Sequence, residues 1–547
     1  MRRDLQRLTS EEFDLLVVGG GIYGAAAAWD ATRRGLRVAL IDKGDFGGAT
    51  SFNNAKTVHG GVRSLQRGHV REVREYLEER RALSYMLPHL VDPLPFLLPT
   101  YRTGLQHRWA VKAYFTLYDL VAHDRNRLDD PGKHLPASRL VSREECLRLH
   151  PAVKADGVTG GIIWYDAQFH NSDRACLAFV ASAMKAGGSA ANYVEATSLL
   201  SSGGRVQGVM ALDHERGTAL PIRARTVLLA AGAWTDEWLG RALPRPRKLA
   251  PAWSVAMNLV VRSVVGSHAV GGKARGRLFF LAPWHGVTIA GTSHDPWSRR
   301  ADELAPRRDD VVRLLADINA AFPGLSLTMH DVRLVHRGLL PATTATAERV
   351  TLLRDSPIVD HAEDGMAGLA SLVGVRYTTA RRSAEHAVNL VGRMLGRMLP
   401  ASDTATTRLD GGGIDRFDTY LRDSTAQAHG PRVDVARLVR AYGTHHSLML
   451  ALMTAKPELA VPLGARCPVT RAEIVFAVTS EMALHLTDAL LRRTDAGTRG
   501  HPGADAVSAA ADLMAERLDW TPERRSDEIA AFEQTYPAIL NETSTRR

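Results

Sequence analysis

The stretch Phe13-Asp14-Leu15-Leu16-Val17-Val18-Gly19-Gly20-Gly21-Ile22-Tyr23-Gly24 decides the fold of this chain. Its first half is a short apolar run ending in glycines, and the alanine-rich segment Ala25 to Arg34 behind it has helical composition and stops at Gly35. The pattern predicts strand, tight turn and helix. Arg37 to Ile41 predicts a second buried strand ending in Asp42, so residues 13–42 read as one βαβ unit. In such a unit Gly19 makes the turn, Gly21 lets the backbone beside Ile22 approach a pyrophosphate, and Gly24 lets the helix pack on the sheet. Asp42 sits where a carboxylate holds ribose hydroxyls. Glycines alone are a weak signal; strand before, helix after and acid at the right distance point to a dinucleotide, without separating FAD from NAD.

About thirty residues further on lies Asn54-Ala55-Lys56-Thr57-Val58-His59-Gly60-Gly61-Val62-Arg63. Adjacent glycines between a histidine and an arginine let the backbone press close to a flat ring while an acid/base group and a cation stand beside it. That outlines a redox site.

At 547 residues the chain exceeds what one core usually supports, so two or more domains are expected. Cys146, Cys176 and Cys467 lack C-x-x-C spacing, which argues against a disulfide framework, a zinc site or an iron–sulfur cluster. No metal is expected, and a reducing cytoplasm fits best. No apolar run approaches the roughly 20 residues of a spanning helix, and Met1-Arg2-Arg3-Asp4-Leu5 lacks a signal peptide's apolar core, so neither a membrane span nor export by that route is expected. The net charge of +10 suits nucleic acid, an anionic membrane face or an anionic substrate. Arginine is spread along the chain rather than gathered into an aromatic-interleaved block, which argues against nucleic acid. Peripheral contact with anionic lipid on the inner face of the cell membrane stays open.

Val227 to Ala230 reads as another apolar strand, followed by Ala231-Gly232-Ala233-Trp234, where small residues let the chain pass close to a ligand. Leu369 to Val373 reads as a third, followed by Gly374, then Thr378-Thr379 before a helix-like Arg381 to Leu395. Threonine is a good helix start, and the dipole of a helix beginning there would favour an electron-rich reduced flavin ring beyond the strand end. Strands of one sheet separated by long insertions suggest a discontinuous cofactor domain interleaved with a second one. Phe279 to Trp284 and Val287 to Thr292 read as a hairpin turning at His285-Gly286. After about Gly411 the pattern is helical, clearest in Val433 to Tyr442, Arg471 to Arg493 and Ala504 to Leu518, and the tail Glu542 to Arg547 is expected to fray.

With these pieces in place the chain resembles the FAD-dependent glycerol-3-phosphate dehydrogenases over nearly its whole length. Beyond the glycine fingerprint, Ala49-Thr50-Ser51 through Lys56 and His59-Gly60-Gly61-Val62-Arg63 look like the family's flavin-contact segment. Pro88-His89-Leu90, Tyr165-Asp166-Ala167-Gln168-Phe169, Pro283-Trp284, Gly291-Thr292 and Thr378-Thr379 to Glu385-His386-Ala387 follow in the family's order, and Tyr442-Gly443, Glu481 and Asp488 to Thr494 look like its helical C-terminal part. The resemblance implies an α/β fold, α+β overall, with a Rossmann-like FAD-binding domain interleaved with a sheet-rich substrate domain and followed by a C-terminal helical domain. The oxidoreductase core would span 12–400, with FAD segments at about 12–98, 158–242 and 331–398 and substrate segments at about 99–157 and 243–330, and the helical domain 412–540. FAD would be held by Gly19, Gly21, Ile22, Gly24, Asp42, Thr50, Ser51, Lys56, His59, Gly60, Gly61, Val194, Ala231, Gly232, Gly374 and Thr378. The implied reaction oxidises a secondary alcohol on sn-glycerol 3-phosphate or a related phosphorylated polyol or hydroxy acid, passing electrons through FAD to a quinone or oxygen. Some relatives sit on the membrane surface, and a homodimer stays open.

Departures from the family cluster where an anionic hydroxy substrate would bind. Ser64 replaces a tyrosine after the arginine of H-G-G-x-R, Leu340 falls on the arginine of G-x-R-P, Val375 and Arg376 replace a glycine and a lysine, and Val255 to Asn258 lacks the lysine and histidine of a K-G-S-H strand. A charge-assisted hydrogen bond is worth roughly 1.5–3 kcal/mol, so the loss at Leu340 weakens a dianion by one to two orders of magnitude. Arg337, at an odd offset in a strand, points to the opposite face. The usual substrate held by another arginine set, such as Arg63, Arg376 and Arg381, competes with a changed or broadened substrate, which the clustering favours.

His59 is the candidate base, since an ordinary pKa near 6.5 suits the task, against a histidine that only hydrogen-bonds the flavin or backbone. Arg63 and Arg376 are candidates to hold the anion, against ordinary ion pairs. Lys56 either supports FAD or stays in solvent. His445-His446 lack metal-ligand context and read as structural. Two readings from other classes stand beside the enzyme: an FAD-binding scaffold or redox-sensitive regulator without turnover, and an NAD-dependent dehydrogenase that binds no flavin.

Overall fold

The apolar run becomes the strand Glu12–Val18, buried at every position after Glu12. It pairs in parallel with Val38–Ile41 on one side and with Thr218–Leu229 on the other, so the strands end together at Gly19, Asp42 and Ala230. Strands covered on both faces read as continuous apolar runs, which is why these were visible. Leu369–Leu372 and Ser189–Ala191 extend the parallel set outward, Ile358–Asp360 pairs antiparallel at one edge, and Val194–Ser202 with Arg205–Asp213 complete an eight-stranded sheet. The helices Ile22–Arg33, Ser172–Lys185 and Ala380–Met394 cover this sheet through a core rich in alanine, whose small side chains let helix and sheet approach closely.

The computed structural model describes residues 1–102, 104–153, 155–347, 349–427 and 433–536; the tail expected to fray, 542–547, and the last positions of the expected 412–540 segment lie outside the described residues.

A second sheet has ten strands and is mainly antiparallel. The hairpin expected around His285-Gly286 is present as Arg277–Trp284 and Val287–Trp297. The same sheet holds Val91–Tyr101, Val158–Phe169 and Val332–Ala345, which apart from residues 99–101 the sequence placed within FAD segments. Those strands find their partners in the second sheet because pairing is decided by distant segments: Val91 to Tyr101 runs antiparallel to Val158 to Phe169, and Ala252–Arg262 lies against Val332–Ala345.

The C-terminal helices include Val435–Tyr442, Arg471–Glu481 and Ala504–Leu518. Arg471 to Arg493, expected as one helical segment, is two. The first part ends at Met482, whose φ of +55° is left-handed, and the chain resumes as a π-helical turn over Asp488–Arg493. Between them the Asp488 carboxylate accepts the Leu484 and His485 amides at 2.9 and 3.0 Å, satisfying donors that a continuous helix would have paired internally.

Buried ion pairs join these helices to the first sheet. Arg492 and Arg493 both donate to Asp45, at 2.6 to 2.7 Å, and Asn192 adds a bond at 3.0 Å. Burial pushes the Asp45 carboxyl up, and Arg493 and Arg492 more than offset this, leaving it below its ordinary range. Arg174 pairs with Glu481 at 2.7 Å and donates to the Ala441 and Arg493 carbonyls at 2.6 Å each. Breaking one partner of a buried pair costs about 3–5 kcal/mol because the other charge stays in the interior. Asp45→Asn therefore lowers unfolding stability by about that amount, read by denaturant titration, whereas Asp403→Asn at the exposed Arg33 pair costs less than about 1 kcal/mol.

Candidate functional site

Between the sheets opens a cavity of about 2130 Å³, lined at one end by Gly19, Gly21, Asp42, Ala231 and Gly232. That exceeds the roughly 300–1,000 Å³ of ordinary ligand pockets and gives room for a dinucleotide and a substrate together. Gly19 has φ +107°, and a Cβ on it would stand 2.5 Å from the Ala230 carbonyl oxygen. The Gly20 and Gly44 amides donate to the two oxygens of Asp42 at 2.6 and 2.8 Å, and burial pushes this carboxyl up to about 6. A carboxylate so fixed at a parallel strand end can accept ribose hydroxyls, and beside it the N-terminus of Ile22–Arg33 offers the dipole that a pyrophosphate needs.

Gly24 does not face the cavity: a Cβ there would lie 1.8 Å from the Gly19 carbonyl oxygen, so its role is the helix–strand approach. Val194 is fully buried and bonds through its amide to the Asp42 carbonyl at 2.7 Å, while its neighbours Tyr193, Glu195 and Ala196 line the wall. Lys56 neither reaches the cavity nor stays in solvent. Its Nζ is buried, donating to the Phe52 carbonyl at 2.8 Å and Ser172 Oγ at 2.9 Å, with Asp173 at 3.4 Å, and burial lowers its pKa.

Tyr23, inside the glycine fingerprint but passed over in the sequence, ties the far loop to the first helix. Its hydroxyl accepts the Val375 and Arg376 amides at 3.1 and 2.9 Å and donates to the Arg376 carbonyl at 2.7 Å. Gly374 is needed here, since a Cβ on it would meet the Tyr23 ring at 2.3 Å. Gly374 and Thr378 line the cavity where Ala380–Met394 begins, and Thr379 takes the N-cap position without a side-chain bond to the helix. Thr50 and Ser51 also line it. Thr50 Oγ1 bridges to the amide and carbonyl of Leu339 at 3.2 Å each, and Ser51 Oγ accepts the Ile22 amide at 3.0 Å.

The His59-Gly60-Gly61 turn is closely packed by protein groups on the side of its two glycines. A Cβ on Gly60 would meet Tyr118 Oη at 2.1 Å, and one on Gly61, at φ +76°, would meet the Tyr76 ring at 2.5 Å. Gly60 donates its amide to Asp166 Oδ1 at 2.7 Å, and Arg80 pairs with the same oxygen. Of the three residues, His59 and Gly61 face the cavity. The His59 ring packs on Tyr76 with 4.8 Å between centres. Loss of solvent, then Arg376, Arg63 and Arg80, push its pKa down to about 4.

The substrate end carries the predicted Arg63 and Arg376 together with Arg354, which sequence reasoning missed. Arg376 Nη2 lies 3.2 Å and Arg354 Nε 3.5 Å from the Glu72 carboxylate. The Arg63 guanidinium stands 5.9 Å from the Phe280 ring centre and, among the described residues, has no carboxylate within ion-pair distance. Arg381 takes no part: it is buried against Glu79, Glu385 and Thr404. Arg337 also faces away, pairing with Asp310 at 2.9 Å, as its strand offset required. Leu340, Asn258 and Ser64 do line the cavity. A histidine that sequence reasoning did not single out, His294 on the neighbouring strand, stands opposite Ala256 and lines the same wall as Asn258. No local motif marks it.

A family model described as "FAD dependent oxidoreductase" matches residues 14–390, and one described as "C-terminal domain of alpha-glycerophosphate oxidase" matches 402–525. A glycerol-3-phosphate dehydrogenase of Synechocystis sp. is 29% identical, with 97% of this chain and 98% of the relative covered. One of Mycobacterium leprae is 31% identical, covering 96% of this chain and 88% of the relative. The crystal structure of the glycerol-3-phosphate dehydrogenase from Bacillus halodurans complexed with FAD superposes with a TM-score of 0.77 at 25% identity, over 97% of this chain and 96% of that one.

Tyr23→Phe removes the acceptor of two loop amides, a loss of about 1–3 kcal/mol. The expected outcome is FAD released from the holoenzyme about tenfold faster or more, followed by the rise in free-flavin fluorescence, together with a lower Tm.

Proposed function

We propose, for a chain that belongs to the FAD-dependent oxidoreductases and among them to the glycerol-3-phosphate dehydrogenase family, that it oxidises the secondary alcohol of sn-glycerol 3-phosphate or a closely related phosphorylated polyol or hydroxy acid. Its cofactor is FAD, for which the strand-end carboxylate, the crowded glycines and the size of the cavity are fitted. One observation carries the choice of reacting groups: His59 lines the cavity wall, held by the Tyr76 ring, on the same wall as Arg63 and Arg376.

His59, with its pKa at about 4, is unprotonated at pH 7 and takes the proton from the substrate hydroxyl. Bound FAD would supply the acceptor for the hydride of the carbinol carbon. Arg63, which among the described residues lacks a carboxylate partner, holds the substrate's anion, and Arg376 and Arg354, offset by Glu72, line the wall beside it. Tyr114, Phe115, Trp164 and Phe280 line the same region and keep water from the reacting carbon. An FAD-binding protein without turnover is not favoured, since the relatives above are named as dehydrogenases.

A quinone is the acceptor best suited to the surface. The helix Arg108–Val121 and the turn before it expose Leu105, Trp109, Leu117 and Leu120, of which Leu105 and Leu117 also line the cavity mouth, with Arg108 and Lys112 alongside. Apolar side chains flanked by cations support peripheral contact with an anionic membrane face. Among the described residues no helix is long and apolar enough to cross a membrane.

Anaerobic stopped flow with glycerol 3-phosphate is the direct test: the flavin bleaches. His59→Gln slows that reduction by about 10²–10⁴-fold, and an unchanged rate removes His59 from the role of base. Arg63→Gln raises KM by about one to two orders of magnitude. Because His59 gains its proton only near pH 4, kcat/KM shows no inflection from it between about pH 6 and 8, beyond that of the substrate's own phosphate, and falls as pH approaches about 4.

A further inference from the structure

Resting on the reaction proposed above, we infer that Glu72 determines specificity at the hydroxyl end of the substrate site: it accepts a hydrogen bond from the substrate's terminal hydroxyl and excludes a second anion there. A cavity built to hold an anion has little reason to bury a carboxylate, yet Glu72 lines it at 9% exposure. It rises from the first turn of the helix Val70–Met86 and faces Arg376 and Arg354, while Arg63 has no such partner among the described residues. The wall is therefore uneven in charge. The phosphate settles at Arg63, and the other end of the substrate comes to a region where one carboxylate offsets two guanidiniums.

The distances leave Glu72 able to accept more. Its contacts lie at 3.2 Å to Arg376, 3.5 Å to Arg354, 3.3 Å to His69 and 3.5 Å to Tyr76 Oη, all longer than the roughly 2.7–2.9 Å of a closed charge-assisted bond. These four contacts fill the carboxylate's roughly four lone-pair sites only loosely, so a hydroxyl can take the place of the 3.5 Å Tyr76 contact without displacing either arginine. Tyr76 links the two ends, with its hydroxyl toward Glu72 and its ring on His59. The terminal hydroxyl and the reacting alcohol, on adjacent carbons, would meet Glu72 and His59 on adjacent side chains. A carboxylate in place of that hydroxyl would meet like charge, which is discrimination by repulsion.

The test compares two ligands on the FAD-loaded enzyme: glycerol 3-phosphate, and 3-phosphoglycerate, which carries a carboxylate where the first has its terminal CH₂OH. With Glu72→Gln, KM for glycerol 3-phosphate is expected to rise about tenfold and the inhibition constant of 3-phosphoglycerate to fall about tenfold, so their ratio moves about a hundredfold. Glu72→Asp keeps the charge and is expected to keep the exclusion, which preserves the test if the glutamine variant does not fold. Equal changes for both ligands in Glu72→Gln, or admission of 3-phosphoglycerate by Glu72→Asp, overturn the proposal. If glycerol 3-phosphate fails to bleach the wild-type flavin, the reaction proposed above fails by itself. Binding of the two ligands, followed as a perturbation of the flavin absorbance, then still decides the role of Glu72 by the same criteria.

Discussion

The buried ion pair of Arg80 with Asp166 holds the centre of this molecule together. Asp166, on a strand of the second sheet, accepts the Gly60 amide and so fixes the turn that presents His59. Arg80 reaches it from the helix Val70–Met86, whose other inward residues follow at helical spacing: Glu72 toward Arg354 and Arg376, Tyr76 toward His59, and Glu79 toward Arg381. One helix face thus sets the base, the anion wall and the start of the helix Ala380–Met394. Each of its charges is withdrawn from water and must keep a partner, so the parts of the site are coupled through electrostatics.

The same rule governs the wider architecture. The C-terminal helices meet the first sheet through Asp45 with Arg492 and Arg493, and through Arg174 with Glu481. Their apolar core also runs on into the second sheet, where Phe52, Trp284 and Ile289 pack with Leu486 and Leu490. Cofactor cavity, substrate wall and helical segment therefore share supports. Depression of the His59 pKa by burial and by nearby guanidiniums is a consequence of this arrangement, since the cations gathered for an anion also keep the base unprotonated.

Local signals made the cofactor end legible. The spacing from Phe13 to Asp42 encodes a structure formed almost wholly within itself, and the strands, the turn at Gly19 and the carboxylate at Asp42 stand where that spacing puts them. Sequence reading went astray where a residue's partner lies far along the chain. Lys56 looked free for a cofactor and is instead consumed by Ser172 and Asp173. Gly60 looked like room for a ring and is room for Tyr118 and Arg80. Arg381 looked available for an anion and is held by Glu79.

The amino-acid order by itself determined the parallel sheet, the dinucleotide fingerprint and the family, because these rest on backbone geometry, apolar periodicity and steric room for glycine, all expressed within short windows. Only the tertiary structure decided which charges face the substrate. Residues 70–86 carry many charged side chains, and nothing local shows that Glu72, Glu79 and Arg80 are interior. A charge is buried only where an opposite charge awaits it, and here those partners come from residues 166, 354, 376 and 381, brought close by the folding of both sheets.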